Sequence, residues 1–198
     1  PEPNDLAYTS IALTPHTDNP YRKPIPCIQL LHCLENEVKG GLSTLVDGFA
    51  VAEYLRKNYQ DIFEILTKTK VRFRFVDKTI ILENWGELIE LDENQKIKQV
   101  RYSTRLDYVP ALEKKELKLF YKARKLIADL YASSKFEIRF RLDKGDLLMM
   151  DNHRLLHGRT SYDVSEGKRY LKGCYIDHDS TEGKLRHLER KFNLKWKK

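Results

Sequence analysis

The apolar and polar positions of this chain fall into short segments with two different periods. Residues 28–34 form an apolar run that reads as a buried strand, and residues 43–46 read as a second. The polar stretch between them ends in Gly40-Gly41, a turn signal, and Asp47-Gly48 closes the second strand. Residues 49–57 and 59–68 carry helical spacing, divided at Asn58. Alternating segments follow at 71–76, 79–82, 87–91 and 97–103, the pattern of antiparallel strands with one wet face. Residues 112–133 predict the longest helix, with Leu117, Phe120, Ile127 and Leu130 on its inward face. Further strands are expected at 136–142, 147–150 and 169–176, and a last helix at 181–192. Many short strands decorated by a few helices predict a mainly β chain, a jelly-roll sandwich rather than a βαβ sheet.

Length adds one constraint: 198 residues suit a single domain, 1–198, with a sizeable core. No apolar run approaches the ~20 residues needed to cross a bilayer, and residues 1–4 lack the features of a secretion signal. Cys27, Cys33 and Cys174 are an odd count with no CxxC pair, so neither a disulfide framework nor a zinc knuckle is suggested, and a reducing cytoplasm is the expected location. The net charge of +7 invites a nucleic-acid reading until it is mapped. Residues 181–198 supply +5 of it, a basic terminal helix, which leaves +2 for the body. A solvated face or a subunit contact is the expectation for that segment, and no nucleic-acid or membrane partner is expected. No phosphate-binding glycine motif occurs.

The chemistry-bearing pattern is Leu13-Thr14-Pro15-His16-Thr17-Asp18, a histidine and a carboxylate at i and i+2. In an extended segment both side chains reach one face and could share one ion. A second histidine from a distant strand would complete a two-histidine, one-carboxylate facial triad, the ligand set of non-haem iron(II) oxygenases. The stretch Asp151-Asn152-His153-Arg154-Leu155-Leu156-His157-Gly158-Arg159 offers two, and His157, expected where a strand end opens into a cavity, is the better placed. Arg169 opens the next strand; if that strand is the antiparallel neighbour of the one bearing His157, its guanidinium can grip a dicarboxylate beside the metal. His153 reads as packed or superficial and His32 as a core residue, while His178 and His187 have no partner pattern.

These blocks, together with Leu30-Leu31-His32-Cys33 and the run from Gly40 through Ser43, Thr44 and Asp47 to Phe49, resemble the γ-butyrobetaine dioxygenase branch of the taurine dioxygenase-like superfamily. The resemblance runs almost from the first residue to Phe192. It implies a double-stranded β-helix that uses Fe(II), 2-oxoglutarate and dioxygen. His16, Asp18 and His157 fall on the metal positions, Arg169 on the arginine that binds 2-oxoglutarate, and Ser43 on a hydroxyl contacting the same cosubstrate, with Thr44 pointing away. The implied activity is hydroxylation of a small trimethylammonium acid such as γ-butyrobetaine, with release of succinate and carbon dioxide. Tyr8 and Tyr175 match the aromatic cage for the quaternary ammonium group, which cation–π attraction suits, although with eleven tyrosines present both could equally fill a core. Trimethyllysine, a trimethylammonium phosphonate or a sulfonate are alternative substrates, and a non-catalytic jelly-roll binding module is the alternative class. His16 lies close to the first residue, so the chain reads as the C-terminal portion of a longer family domain, lacking its N-terminal part and leaving a sheet edge unpaired. Leu185, Leu188, Phe192 and Trp196 in the last helix suggest either a homodimer contact or packing on the chain's own sheet.

Overall fold

The computed structural model describes residues 9–194. Its central feature is a chain that changes sheet at each strand. β1 (Leu13–His16) and β3 (Ser43–Asp47) lie in one sheet, and β2 (Ile28–Asn36), between them in sequence, lies in the other. After a long excursion, β9 (Glu137–Phe140), β10 (Leu147–Asp151), β11 (Leu155–Arg159) and β12 (Arg169–Ile176) alternate in the same way. The results are a four-stranded sheet of order β1-β11-β3-β9 and a three-stranded sheet of order β10-β2-β12. Every pairing in both sheets is antiparallel. Side chains of both sheets line one cavity, so the two inner faces oppose each other. This is the double-stranded β-helix the sequence implied. Among the described residues β12 pairs on one side only, with β2.

The excursion between β3 and β9 builds the hydrophobic core. It contains α1 (Gly48–Asn58), α2 (Gln60–Lys68), β4 (Lys70–Val76), β5 (Ile81–Glu87), β6 (Ile89–Leu91), β7 (Ile97–Val100), β8 (Asp107–Tyr108) and α3 (Lys114–Tyr131). Asp47 caps α1 by accepting the amide hydrogens of Phe49 and Ala50. Leu55, Ile62, Leu66, Phe73, Phe120 and Ile127 are fully buried in one cluster, and the cluster reaches Val46 and Leu156 on the outer face of the four-stranded sheet. Period-two alternation does the sorting: Val46 and Leu156 are register partners facing the core, while the next residue of β11, His157, turns to the cavity. The core therefore lies outside the sandwich, not between its sheets.

Four expectations needed correction. Segments 79–82 and 87–91 are bounded differently: residues 81–87 form one strand and 89–91 another, and the signal of the first was hidden because its buried positions are Asn84 and Gly86 rather than apolar residues. The inward seam of α3 is Phe120, Ala123, Ile127 and Tyr131, with Leu117 and Leu130 only half-buried, so the apolar stripe is offset from the reading. His157 is not at a strand end but in the middle of β11, a strand that the pattern missed because it begins only three residues after β10. His32 is exposed: in β2 it alternates with the inward Leu31 and Cys33 and falls on the outer face.

The last helix, α4 (His178–Lys191), is longer at its start than expected and has no buried residue. Cys27 and Cys33 are buried, and burial raises both thiols above the usual range; Cys174 is exposed on β12. A thiol reagent at pH 8 should thus add one mass equivalent to the native chain and three after denaturation. Replacing Leu156, fully buried, by Ala should cost about 2–5 kcal/mol in urea unfolding, whereas Ile138→Ala, at an exposed position, should change stability by about 0.5 kcal/mol or less.

Candidate metal and cosubstrate site

The register of β1 against β11 sets His16 directly opposite His157, with ring centroids 4.6 Å apart. An irregularity in that ladder re-aims the end of β1, and Asp18 follows in the turn beyond it rather than on the strand itself. The carboxylate still returns to the histidines. Its Oδ1 lies 3.3 Å from His16 Nε2, and its Oδ2 lies 3.7 Å from His157 Nε2. One donor atom from each of the three residues falls within 4.8 Å of the other two.

The surroundings fix which atoms are presented. His16 Nδ1 is 2.8 Å from the Thr14 carbonyl, which can only accept, so Nδ1 carries the hydrogen and Nε2 offers its lone pair toward Asp18. Asp18 Oδ2 accepts from Gln29 Nε2 and from the Tyr175 hydroxyl, each at 2.6 Å. Asn152, wholly buried, holds the backbone of the same residue. Its Oδ1 accepts the Asp18 amide hydrogen at 2.7 Å, and its Nδ2 donates to the carbonyls of Asp18 at 3.0 Å and Pro26 at 2.8 Å.

Burial alone would raise the Asp18 carboxyl, but its place beside His157 and His16 and the hydrogen bond from Tyr175 hold it well below the usual carboxylate range. Burial pushes the His157 imidazole the other way, down to about 4, so it is neutral at pH 7. Burial, then the Asp18 charge and hydrogen bond, push the Tyr175 phenol far above its ordinary range, so it stays a donor. An ionised carboxylate between two imidazoles, one held as a donor-ready tautomer and one held neutral, is the protonation state that a divalent metal requires.

The remaining expected residues line the same cavity, of about 490 Å³. Ser43 faces into it from β3, and Thr44 lies on the opposite face, as alternation requires. Arg169 lines it from β12, together with Tyr175 six residues further along the same strand. Arg169 is not on a neighbour of β11, as the sequence suggested; β12 belongs to the other sheet, and the guanidinium faces the cavity from across the sandwich. Its Nη2 donates to the Gly41 carbonyl at 3.1 Å, its Nε is buried without a hydrogen-bond partner, and no carboxylate pairs with it among the described residues. Gly41 is required there twice over. Its φ is +67°, and a Cβ would stand 2.7 Å from Arg169 Nε. Tyr8 lies outside the described residues.

Two residues at the site were not singled out from sequence. Gln29 was the one polar inward position in an apolar run, a signal that alternation could have exposed. Asn152 carried no pattern at all, because its role depends on a partner 134 positions away.

The profile of the taurine catabolism dioxygenase TauD, TfdA family matches residues 1–175. This chain belongs to that family. Among curated TauD, TfdA relatives, a gamma-butyrobetaine dioxygenase of Homo sapiens is 35% identical over 193 residues, spanning 95% of this chain and 50% of that protein. A trimethyllysine dioxygenase of Meyerozyma guilliermondii is 34% identical over 190 residues, spanning 93% of this chain and 47% of that protein. The chain thus spans about half the length of the curated relatives it matches. A solved asparagine oxygenase in complex with Fe(II), 3-hydroxyasparagine and succinate superposes with a TM-score of 0.65 at 17% identity, over 84% of this chain and 50% of that one, which shows the shared fold.

In this TauD, TfdA family member one buried amide, that of Asn152, holds the backbone of Asp18. Asn152→Ala should destabilise the chain by about 1–3 kcal/mol, because the Asp18 and Pro26 backbone groups lose their partners, read as a lowered urea midpoint with an unchanged slope.

Proposed function

We propose that this chain carries the iron(II) and 2-oxoglutarate centre of an oxygenase that hydroxylates a small trimethylammonium acid such as γ-butyrobetaine. The observation that carries the reading is the convergence of His16, Asp18 and His157 donor atoms at one cavity that also contains an uncompensated arginine. Two imidazoles and one carboxylate leave positions open for a chelating oxo acid and for dioxygen. His16 Nε2, an Asp18 oxygen and a ring nitrogen of His157 would hold the metal. Bound together, iron(II), 2-oxoglutarate and dioxygen supply the oxidation of an unactivated C–H bond, with release of succinate and carbon dioxide.

The chain's own contribution is placement and charge. Gln29 and Tyr175 load one oxygen of Asp18, which orients the carboxylate and keeps it ionised. Arg169 and Ser43 would bind the distal carboxylate of 2-oxoglutarate; a half-buried guanidinium without an acidic partner is a strong site for such an anion. The Tyr162 ring lies 5.3 Å from the Arg169 guanidinium and helps hold it in place. The hydroxyl of Tyr175 is committed to Asp18, so what this residue offers a substrate is its ring. With Tyr8 it would flank a quaternary ammonium group, which cannot donate a hydrogen bond and is recognised through aromatic faces. The similarity to a gamma-butyrobetaine dioxygenase and to a trimethyllysine dioxygenase, both named for trimethylammonium compounds, supports that substrate class over a sulfonate. They support trimethyllysine as the second reading, with the same chemistry. Leu185 on α4 and Phe192 just beyond its end, both exposed, are the positions a second copy of this chain would cover in a homodimer.

Anaerobic addition of Fe(II) and 2-oxoglutarate should produce the weak visible charge-transfer absorption of the chelate, and γ-butyrobetaine with air should then yield succinate. A band with succinate only from trimethyllysine would select the second reading. No band from a chain shown to be folded would overturn the proposal. His16→Ala and Asp18→Ala should each abolish the band, and Arg169→Gln should preserve it while raising the 2-oxoglutarate concentration for half-saturation by about tenfold to a hundredfold, the equivalent of losing a charge-assisted contact of about 1.5–3 kcal/mol.

A further inference from the structure

A second cluster of ligand-type side chains lies away from the cavity, where the ends of three strands meet. Asp151, the last residue of β10, pairs with Ile28 at the start of β2, and Ile28 in turn pairs with Ile176 at the end of β12. His153 follows Asp151 in the turn toward β11, and His178 opens α4 two residues after β12 ends. One donor atom from each of Asp151, His153 and His178 lies within 4.8 Å of the other two, and all three side chains are half-buried. The imidazoles of His153 and His178 stand 5.0 Å apart, centroid to centroid, nearly edge to face.

The local bonding resembles that of a prepared ligand. His153 Nε2 lies 3.1 Å from the Ile25 carbonyl, which can only accept, so Nε2 carries the hydrogen and Nδ1 is left with its lone pair. A ring N–H tied to a backbone carbonyl is the usual outer contact of a metal-binding histidine, and His16 shows the same arrangement at the first site. Asp151 Oδ1 accepts the His153 amide hydrogen at 2.8 Å, which anchors the carboxylate beside the ring.

We propose that Asp151, His153 and His178 bind a divalent transition-metal ion, with Zn²⁺ the best fit, independently of the His16, Asp18 and His157 site. Two imidazoles and a carboxylate with room for water are a zinc-type donor set. The ion would do structural work that packing does not. No residue of α4 is buried, so the helix has few contacts of its own, and its first residue is one of the three ligands. A bound ion would clip the start of α4 to the turn that precedes β11. That turn also contains Asn152, the residue that holds Asp18.

The test is zinc stoichiometry of the full chain by calorimetry and by metal analysis after gel filtration, in parallel with hydrogen exchange. The wild-type chain should bind two equivalents. His178→Ala, a change at a half-buried helix start that should leave the fold intact, should bind one and retain the Fe(II)–2-oxoglutarate absorption. His16→Ala should also bind one, but lose that absorption. Zinc should slow amide exchange in the first turns of α4 at least tenfold in the wild type and in His16→Ala, and leave it unchanged in His178→Ala. One equivalent in the wild type, or two in His178→Ala, would overturn the proposal and leave the imidazole pair as a packing contact only.

Discussion

A negative charge held inside the sandwich is the constraint on which the site depends. Burial works against Asp18 remaining ionised, and the chain counters it from four directions: two imidazoles, the Gln29 amide and the Tyr175 hydroxyl. These groups come from β1, β11, β2 and β12, hence from both sheets. None is close to the others in sequence except His16 and Asp18. The carboxylate is thus the point at which the two halves of the β-helix must agree in register. A one-residue slip in any of these strands would turn a partner to the opposite face. Asn152 adds a fifth restraint by holding the backbone of the same residue rather than its charge.

The alternation of the chain between sheets makes this convergence possible. Strands adjacent in sequence face one another across the cavity, so a short loop delivers side chains to opposite walls. Arg169 shows the consequence. It is twelve positions from His157, yet it reaches the cavity from the other sheet, and its partner contacts are Gly41 and Tyr162 rather than anything on β11. The Gly-Gly turn before β3 accommodates it, with Gly41 both in the left-handed region and in van der Waals contact with the guanidinium.

Much of this was legible in the sequence, for identifiable reasons. β12 and β3 were read nearly to the residue because turn signals bound them, and the His16–Asp18 pair stood out as two ligand types at a spacing that strands favour. Arg169 and Tyr175, six positions apart, fall on one face of β12 by period two and line the same cavity. The failures share a cause as well. β11 is held by pairing with segments far along the chain, and the buried positions of β5 are Asn84 and Gly86, so no apolar periodicity announces either strand. His32 was read as a core residue because the run around it is apolar, but it falls on the outer face of β2, where it is the one exposed residue of the strand. Gln29 and Asn152 act through partners far along the chain, and His178 became interesting only when the ends of β10 and β12 were brought together.

The separation of core from cavity sets how this architecture can change. The cluster of Leu55, Ile62, Phe73, Phe120 and Ile127 lies behind the four-stranded sheet, while the cavity lies in front of it. Because alternate residues of one strand serve the two purposes, His157 can be judged by what it binds and Leu156 by what it packs against. Folding free energy and ligand choice are therefore written on opposite faces of the same strands. Substitutions on the cavity wall can redirect the scaffold toward new small molecules while drawing little on its stability, which is the condition under which a protein scaffold diversifies most easily.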